Sequence, residues 1–347
     1  MPSLRIGIAG ANYGAAFAAA FAQIDQVTLA AIADPDSERR QPLADSHRIS
    51  SQFENAEEMI GAGQLDAVVI ATPTYLHERQ IGAAFDAGLH VLCAAPIGTN
   101  ARELSHIVTS AGLVGKTFMG SNPLRFDPRF AKAAELVESG TLGDVFMGRA
   151  SVKVASWPYD GSSWRLDRER GGGALLETGA QAIDALWFAL GCPDATEAMA
   201  ASYDRFSQRH ASSLESVAED AIAGFVRLRN GACLQIEAQL DADLGSSSES
   251  IELTLSGSEA SLDLQTGQLL RNGSSQGYAE PFDPAASHRA EAEAFVSAVL
   301  SESETRFTGK QALSLAKIFD ALLLSAKEKE AAPIKLERSL DDLFGAL

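Results

Sequence analysis

The amino-terminal sequence contains the stretch Gly7-Ile8-Ala9-Gly10-Ala11-Asn12-Tyr13-Gly14. This stretch connects a run of β-forming residues, 4–9, to a helical pattern over residues 16–24. At such a connection a glycine lets the backbone approach a pyrophosphate closely, and the amino end of the following helix attracts the negative charge. The spacing departs from the usual G-x-G-x-x-G pattern, because Asn12 and Ala15 occupy its second and third glycine positions. The turn alone is compatible with a dinucleotide site or with a plain connection between strand and helix.

An acidic residue, Asp34, ends the second predicted strand (27–33), about twenty residues after the turn. A carboxylate at this place accepts hydrogen bonds from an adenosine ribose and disfavours a 2′-phosphate, so NAD is the predicted coenzyme. Arg39 and Arg40 follow closely and leave NADP open. The alternative for Asp34 is an N-cap of the helix that begins near Pro35.

Strand and helix patterns alternate over the first 120 residues. Further strands are predicted at 66–71, 90–94 and 116–120, and helices at 36–48, 76–87 and 100–112. This alternation is typical of an α/β domain with a doubly wound parallel sheet, in which the carboxyl ends of the strands form the ligand-binding edge.

The pattern changes after Asn122-Pro123, where a second, α+β domain with an open, mostly antiparallel sheet is predicted. Its predicted strands are 145–157, 221–229, 233–240, 249–256 and 260–264, and its predicted helices are 128–139, 175–190, 287–301 and 309–328. A Gly-Gly-Gly turn at 171–173 opens the second of these helices, and the stretches 212–216, 245–250 and 272–275 are predicted loops. The sequence therefore predicts two domains, residues 1–121 and 122–347.

Composition excludes several classes of protein. The 347 residues carry 28 Lys and Arg against 46 Asp and Glu, a net charge of −18, which disfavours binding to nucleic acid. Residues 6–24 are uncharged, but they are mostly alanine and glycine and include Asn12, Tyr13 and Gln23. Their transfer into a membrane would therefore be only weakly favourable, and no membrane span is predicted. The three cysteines are widely spaced, so neither a metal site nor a disulfide framework is predicted, and a cytoplasmic location is expected.

Four segments together resemble the glucose–fructose oxidoreductase and inositol dehydrogenase (Gfo/Idh/MocA) family. Residues 71–77, Ala-Thr-Pro-Thr-Tyr-Leu-His, resemble its A-T-P-N-x-x-H segment, and residues 86–93 resemble its A-G-K-H-V-L-C run. Residues 125–128, Arg-Phe-Asp-Pro, are similar to the family's entry into its second domain. Trp164 followed by Gly171-Gly172-Gly173 resembles its W-…-G-G-G-x-L-L-D-x-G-x-H segment.

The resemblance implies an amino-terminal Rossmann domain that holds NAD(P), and an open sheet that commonly forms contacts in a homo-dimer or homo-tetramer. It also implies a sugar-like or polyol-like substrate. Coenzyme contacts of the family map onto Asn12, Asp34, Thr72, Pro73, His77, Asn122, Trp164 and Arg165. The predicted coenzyme site further includes Gly10, Tyr13, Arg39, Ala95 and Pro96.

The catalytic positions of the family are substituted. Its E-K-P motif is Ala94-Ala95-Pro96 here, and its Asp and His are Glu177 and Gln181. An alanine cannot exchange a proton, and a glutamine amide does not titrate near neutral pH. Residues 177, 181 and 184 are expected on one helical face, so the layout of the site is retained while its chemistry is changed.

Three interpretations therefore stay open. In the first, the protein is an oxidoreductase in which another group exchanges the proton. Glu177 is the main candidate, with a helix-terminal carboxylate as its alternative, and Lys153 and Tyr159 are further candidates. In the second, it is an NAD-binding sensor or regulatory protein without turnover, and in the third a non-redox scaffold. The first is favoured by analogy with the fold.

Overall fold

The computed structural model describes residues 3–155, 163–205 and 214–335, which form two sheets. The first has six parallel strands in the order β3-β2-β1-β4-β5-β6. They are β1 (Leu4–Ala9), β2 (Val27–Ala33), β3 (Ser51–Phe53), β4 (Ala67–Ile70), β5 (His90–Ala94) and β6 (Phe118–Ser121). The connecting helices are α1 (Ala11–Phe21), α2 (Ser37–His47), α3 (Ala56–Gly61), α4 (His77–Asp86) and α5 (Ala101–Val114). This architecture confirms the predicted doubly wound parallel sheet.

The strands of the first sheet are buried on both faces because alternate residues point into two different cores. Ile6, Ile8 and Val69 contribute to a core on the α1 side, and Val68 and Ile70 contribute to a core on the α4 side. Near-continuous apolar strands are what a parallel sheet covered by helices on both sides requires. The strand β3 and the helix α3 were not predicted from the sequence, and α1 begins at Ala11 rather than at residue 16.

The second sheet has nine strands in the order β14-β13-β12-β11-β7-β10-β9-β8-β15. They are β7 (Val145–Val154), β8 (Ala195–Tyr203), β9 (Ala221–Leu228), β10 (Cys233–Gln239), β11 (Glu249–Gly257), β12 (Ser261–Asp263), β13 (Gln268–Arg271), β14 (Ser274–Gly277) and β15 (Ala332–Pro333). All neighbours are antiparallel except β7 and β10, which are parallel. The predicted mostly antiparallel sheet is therefore confirmed.

Some predicted boundaries in the second half are corrected. The strand β8 was missed, and the predicted loop 272–275 is part of a hairpin whose turn is Asn272-Gly273, both residues having positive φ. The predicted loop 245–250 overlaps the start of β11. The predicted helix 175–190 begins as a π-turn (Leu175–Gly179) and continues as α7 (Ala180–Ala189). Residue 157, the predicted end of β7, and residues 212–213 lie outside the described residues.

Two long helices near the carboxyl end return to the first sheet. They are α8 (Pro284–Ser301) and α9 (Gly309–Glu328); α6 (Pro128–Glu138) precedes the second sheet. Phe295 of α8 packs edge-on against Phe21 of α1, and Asp320 of α9 accepts a hydrogen bond of 2.9 Å from the first amide of α5. These helices therefore cover both domains, and the division at residue 121 stays a prediction.

A buried ion pair ties the start of the second half to α7. Arg125 is fully buried and donates twice to Asp184, from Nη2 to Oδ1 at 2.6 Å and from Nε to Oδ2 at 2.9 Å. Its guanidinium carbon lies 3.8 Å from the ring centroid of Phe307 and 5.1 Å from that of Phe188. A bidentate hydrogen bond to a carboxylate, together with flanking aromatic rings, offsets the free energy that is needed to remove an arginine from water.

Candidate functional site

A cleft of about 650 Å³ lies between the carboxyl edge of the parallel sheet and the π-turn that precedes α7. It follows the ends of β1, β2, β4 and β5, beside the position where the strand order reverses between β1 and β4. Ligands of doubly wound sheets bind at this position. Of the predicted site residues, those that line the cleft are Gly10, Asn12, Tyr13, Asp34, Arg39, Thr72, Pro73, His77, Ala95, Pro96, Trp164, Arg165, Glu177 and Gln181.

The glycine turn is built for close approach of a ligand. Gly10 has a φ of 92°, and a Cβ at this position would collide with the carbonyl oxygen of Ala71. Gly10, at the N-cap of α1, has no side chain to cap the helix, and within the described residues only the amide of Ala11 is bound by a side chain, that of Asp34. The amides that follow Ala11 are available to an anionic ligand, so the turn fits the pyrophosphate of a dinucleotide.

Asp34 lies at the end of β2, where the sequence predicted it, and is only 6% exposed. Its Oδ2 accepts a hydrogen bond of 2.7 Å from the amide of Ala11, and its Oδ1 accepts one of 2.9 Å from the amide of Asp36. The N-cap of α2 is Asp36, so the alternative interpretation of Asp34 as that cap is wrong. Asp34 holds the glycine turn against β2 and also faces the cleft.

The two arginines after β2 differ in their contacts. Arg39 lines the cleft and pairs with Asp36 at 2.7 Å, so it lies at the end where an adenosine ribose would bind. Arg40 donates to the backbone oxygen of Asp34. Of these two arginines, Arg39 lines the cleft and Arg40 does not.

His77 joins the loops that follow β4 and β5. Its Nε2 is 2.8 Å from the carbonyl oxygen of Thr72, and its Nδ1 is 3.2 Å from that of Ile97 and 3.4 Å from Cys93 Sγ. Burial lowers the pKa of His77, although the facing carbonyl oxygens oppose this shift. A neutral imidazole here positions the Thr72-Pro73 turn, which the hydrogen bond of 2.6 Å from Thr72 Oγ1 to Gln80 also fixes.

Asn122 was predicted to contact the coenzyme, but it is fully buried and is not among the residues that line the cleft. Its Nδ2 donates to the carbonyl oxygen of Gln181 at 2.8 Å and to Asp184 Oδ2 at 2.7 Å, and its Oδ1 accepts from Leu124. Both polar atoms of the Asn122 side chain therefore form hydrogen bonds inside the protein.

Glu177 and Arg165 form an ion pair at the end of the cleft away from Asp34. The Nε of Arg165 donates to Glu177 Oε2 at 2.6 Å, and its guanidinium lies 4.5 Å from the ring centroid of Trp164. Burial raises the pKa of Glu177 above its ordinary value, whereas the guanidinium opposes the shift. The rim beyond them is formed by Tyr75, whose ring packs edge-on against Trp164.

Gln181 completes this end of the cleft. Its Nε2 donates to the hydroxyl oxygen of Tyr13 at 3.3 Å, which links α7 to the glycine turn. Asp184 does not share the cleft, contrary to the expected common face, because it is fully buried with Arg125. The π-turn Leu175–Gly179 has about one more residue per turn than an α-helix. The position of Glu177 around the helix axis therefore differs from the one that an unbroken α-helix would give it.

Lys153 does not reach the cleft, so its choice as a catalytic candidate is not supported. Ala150 and Val152 of β7 point into the core on the side of α7, and Lys153 alternates to the opposite face. There its Nζ pairs with Glu237 at 2.8 Å. The other weak candidate, Tyr159, lies outside the described residues.

The described residues contain neither a membrane-spanning helix nor a metal-binding group of side chains. No helix of the described ranges combines the length and the apolar character that a membrane crossing requires. Within the same ranges, no three His, Cys, Asp or Glu side chains are grouped so that they could bind a metal ion.

The sequence analysis did not single out His288 and Glu291 of α8, which lie next to Tyr13. No local sequence pattern connects residues that are so distant in the chain.

Comparison with known proteins gives matches over most of the chain. Residues 4–120 match the family model described as an oxidoreductase family with an NAD-binding Rossmann fold, and residues 130–263 match a GFO/IDH/MocA C-terminal domain. D-xylose 1-dehydrogenase (NADP⁺) 2 of Haloferax volcanii is 27% identical over 317 residues, 90% of this chain and 94% of that protein. The 1,5-anhydro-D-fructose reductase of Ensifer adhaerens is 28% identical over 304 residues, 86% of this chain and 89% of that protein.

A solved structure of levoglucosan dehydrogenase in complex with NADH and levoglucosan shares the fold. Its TM-score is 0.82 at 19% identity, with 96% of this chain and 100% of that chain covered.

Proposed function

The chain belongs to the Gfo/Idh/MocA oxidoreductase family, and from this premise we propose that it is an NAD(P)-dependent oxidoreductase of a sugar-like or polyol-like molecule. The observation that carries the proposal is the continuous cleft from Asp34 to Glu177, which joins a dinucleotide-type turn to a group of polar side chains. Its volume lies within the range of roughly 300–1,000 Å³ that is usual for small-molecule sites.

The sheet side of the cleft would hold the coenzyme. The amides at the start of α1 would bind the pyrophosphate, Asp34 would accept hydrogen bonds from the adenosine ribose, and the turn Thr72-Pro73 would contact the middle of the molecule. The bound coenzyme would accept or supply a hydride. NAD is the coenzyme of the family's Rossmann domain, and Arg39 at the rim supports the use of NADP as well.

The side formed by the second domain would bind the substrate. Arg165, Glu177 and Gln181 offer charged and amide groups beside the indole ring of Trp164. Hydrogen-bonding groups next to an aromatic face suit a polyhydroxylated molecule, whose hydroxyls are polar and whose ring faces are apolar. The sugar-related names of the two curated relatives support this substrate class.

Glu177 is proposed to accept a hydrogen bond from a substrate hydroxyl while it stays ionised. Protonation of Glu177 would remove a negative charge that lies 2.6 Å from Arg165 Nε in a partly buried site, which is unfavourable. The sequence-based hypothesis that Glu177 is the general base is retained only as an alternative, to be tested by the pH dependence of its glutamine variant.

A titration of the protein into NADH, followed by coenzyme fluorescence, tests the proposed function. The same sample is then given a panel of aldoses, polyols, ketoses and 1,5-anhydro-D-fructose with the reduced and oxidised coenzymes. Saturable binding with turnover of a panel member supports the proposal. Binding without turnover indicates a sensor or regulatory protein, and no binding indicates a scaffold.

We also propose that the exposed face of the second sheet joins two copies of the chain. Met199 and Phe225 lie opposite each other on β8 and β9 and are 58% and 53% exposed. Exposed apolar side chains of this kind mark interaction surfaces. Phe225→Glu should convert a dimer or tetramer to smaller species in sedimentation velocity, and an unchanged sedimentation coefficient would contradict this face.

The three cysteines are unpaired, which supports a reducing compartment such as the cytoplasm.

A further inference from the structure

The cleft contains a phenol that the proposed function has not used. Tyr13 lines the cleft beside Gln181, the residue at the position of the family's histidine. Gln181 donates its amide hydrogen to the phenolic oxygen, and among the described residues no acceptor takes the phenolic proton. That proton therefore stays available to a group bound in the cleft.

Four other titratable side chains of the cleft are less suited to give up a proton. Both carboxylate oxygens of Asp34 accept backbone hydrogen bonds, Glu177 is paired with Arg165, and both nitrogens of His77 face carbonyl oxygens. Tyr75 is at the open rim, where its ring packs on Trp164. Tyr13 is thus the donor closest to Gln181.

Helix α8 places two titratable side chains behind Tyr13. The ring of His288 packs edge-on against Tyr13, with 6.1 Å between centroids, and against Phe17 at 5.4 Å. Glu291 is fully buried; its Oε2 accepts a hydrogen bond of 2.9 Å from Ser121 and lies 3.8 Å from His288 Nδ1.

Three buried polar atoms of α8 lack hydrogen-bond partners among the described residues. They are Glu291 Oε1, His288 Nδ1 and Ser287 Oγ. Unpaired polar atoms at this depth are costly, and one bridging water molecule is the usual way in which proteins satisfy such a group. The His288 side chain is 15% exposed, whereas that of Glu291 is buried.

We propose that Tyr13 is the proton donor for reduction of a carbonyl in this cleft. The inference rests on the proposed oxidoreductase function. The carbonyl carbon gains a hydride, with its electron pair, from the reduced coenzyme, and the C=O π bond breaks. The carbonyl oxygen takes the phenolic proton as the O–H bond of Tyr13 breaks. The resulting tyrosinate regains a proton from water.

The electrostatic surroundings of Tyr13 keep the phenol protonated at neutral pH. Burial raises the pKa of Tyr13, and the carboxylate of Glu291 raises it further, while the hydrogen bond from Gln181 opposes the shift. A raised pKa makes the phenol a weaker acid, so the amide of Gln181, which stabilises the tyrosinate, is the contact that favours release of the proton. Glu291 and His288 on α8 and Gln181 on α7 are the titratable or polar groups that face it.

The first experiment compares Tyr13→Phe with the wild-type chain, because phenylalanine keeps the ring contacts with Phe17 and His288 and removes only the hydroxyl. The matched control is Tyr278→Phe, which removes a hydroxyl that lies outside the cleft and has no hydrogen-bond partner among the described residues. The Kd for NADH is measured for both variants, so that a change in coenzyme binding is separated from a change in kcat. We expect kcat for the turned-over panel carbonyl to fall about 100-fold in Tyr13→Phe with little change in KM, and to be unchanged in Tyr278→Phe.

The second experiment needs no substrate. The ultraviolet absorbance of tyrosinate is followed against pH for the wild-type chain and for Tyr13→Phe, and the difference is the titration of Tyr13. We expect this pKa to lie above about 10, the value of a free phenol, and to fall in Glu291→Gln because a nearby negative charge is removed.

The outcomes separate the two proposals. If Tyr13→Phe turns over the carbonyl as fast as the wild-type chain, the donor assignment is overturned while the oxidoreductase function stands. A Tyr13 that titrates like a free phenol and ignores Glu291→Gln also overturns it. If the wild-type chain binds NADH but turns over no panel member, the proposed function itself is overturned, and the donor role falls with it.

Discussion

The buried pair of Arg125 and Asp184 provides a quantitative test of how the two halves of the chain are joined. Asp184→Asn keeps the size of the side chain but removes its charge. Arg125 would then donate to an amide instead of a carboxylate, and Asn122 would face a second amide in place of the carboxylate oxygen that now accepts its hydrogen bond.

The expected cost follows from the environment of the pair. Both side chains are essentially inaccessible to water, so the guanidinium charge left by the variant cannot be rehydrated without opening the core. Breaking a buried ion pair on one side typically costs about 3–5 kcal/mol, and we expect a loss of unfolding free energy in this range for Asp184→Asn.

Urea denaturation, followed in parallel by tryptophan fluorescence and by far-ultraviolet circular dichroism, measures this free energy. The control is Asp25→Asn, an exposed carboxylate for which the change should stay within about 0.5 kcal/mol. The double variant Arg125→Met with Asp184→Leu should recover at least half of the loss, since an apolar pair removes both desolvated charges.

A loss below about 1 kcal/mol in Asp184→Asn would refute the argument that this pair is dry and mutually dependent. Equal losses in the single and double variants would show that the bridging contacts of Asn122 and Gln311, rather than the charges, carry the stability.

The remaining predictions concern the cleft. Asp34→Ala should raise the Kd for NADH at least about tenfold, because the amide of Ala11 loses a charge-assisted hydrogen bond and the ribose loses its acceptor; unchanged NADH fluorescence titrations would contradict this role. Glu177→Gln should lower kcat/KM for the sugar substrate at least about tenfold while the shape of its pH profile is retained, and loss of the acid limb would instead identify Glu177 as the base. His77 has a lowered pKa in the folded chain, so the unfolded chain takes up a proton first as the pH falls through about 6.5. Unfolding free energy should therefore decrease between pH 7 and pH 5 more steeply in the wild-type chain than in His77→Gln, and parallel pH dependences would count against the buried neutral imidazole.

The first sheet could be predicted because a local run of apolar residues indicates most of its strands. Strands β1, β2 and β5 have the boundaries that the apolar runs indicate, since a strand buried on both faces needs an unbroken apolar sequence. Strand β3 has only Ser51–Phe53 and no such run, and its position depends on pairing with β2, which is not a local property.

The cleft residues were predicted less evenly. Turns at strand ends are fixed by sequence order, and the residues near Gly10, Asp34 and Thr72 do line the cleft. Lys153 and Asn122 do not line it, because their directions depend on the register of β7 and on the packing of α7. No sequence pattern could reveal that α8 returns to Tyr13 from the far end of the chain.

The return of α8 has a consequence for biosynthesis. Phe17 and Phe21 of α1 belong to a core that Phe295 completes, yet Phe295 is translated more than 250 residues after them. At roughly 5–20 residues per second, a ribosome needs on the order of ten seconds to a minute to synthesise the chain between α1 and Phe295. During this interval the nascent amino-terminal sheet exposes an aromatic surface on one side, so chaperones that shield apolar segments should associate with it until translation passes residue 301.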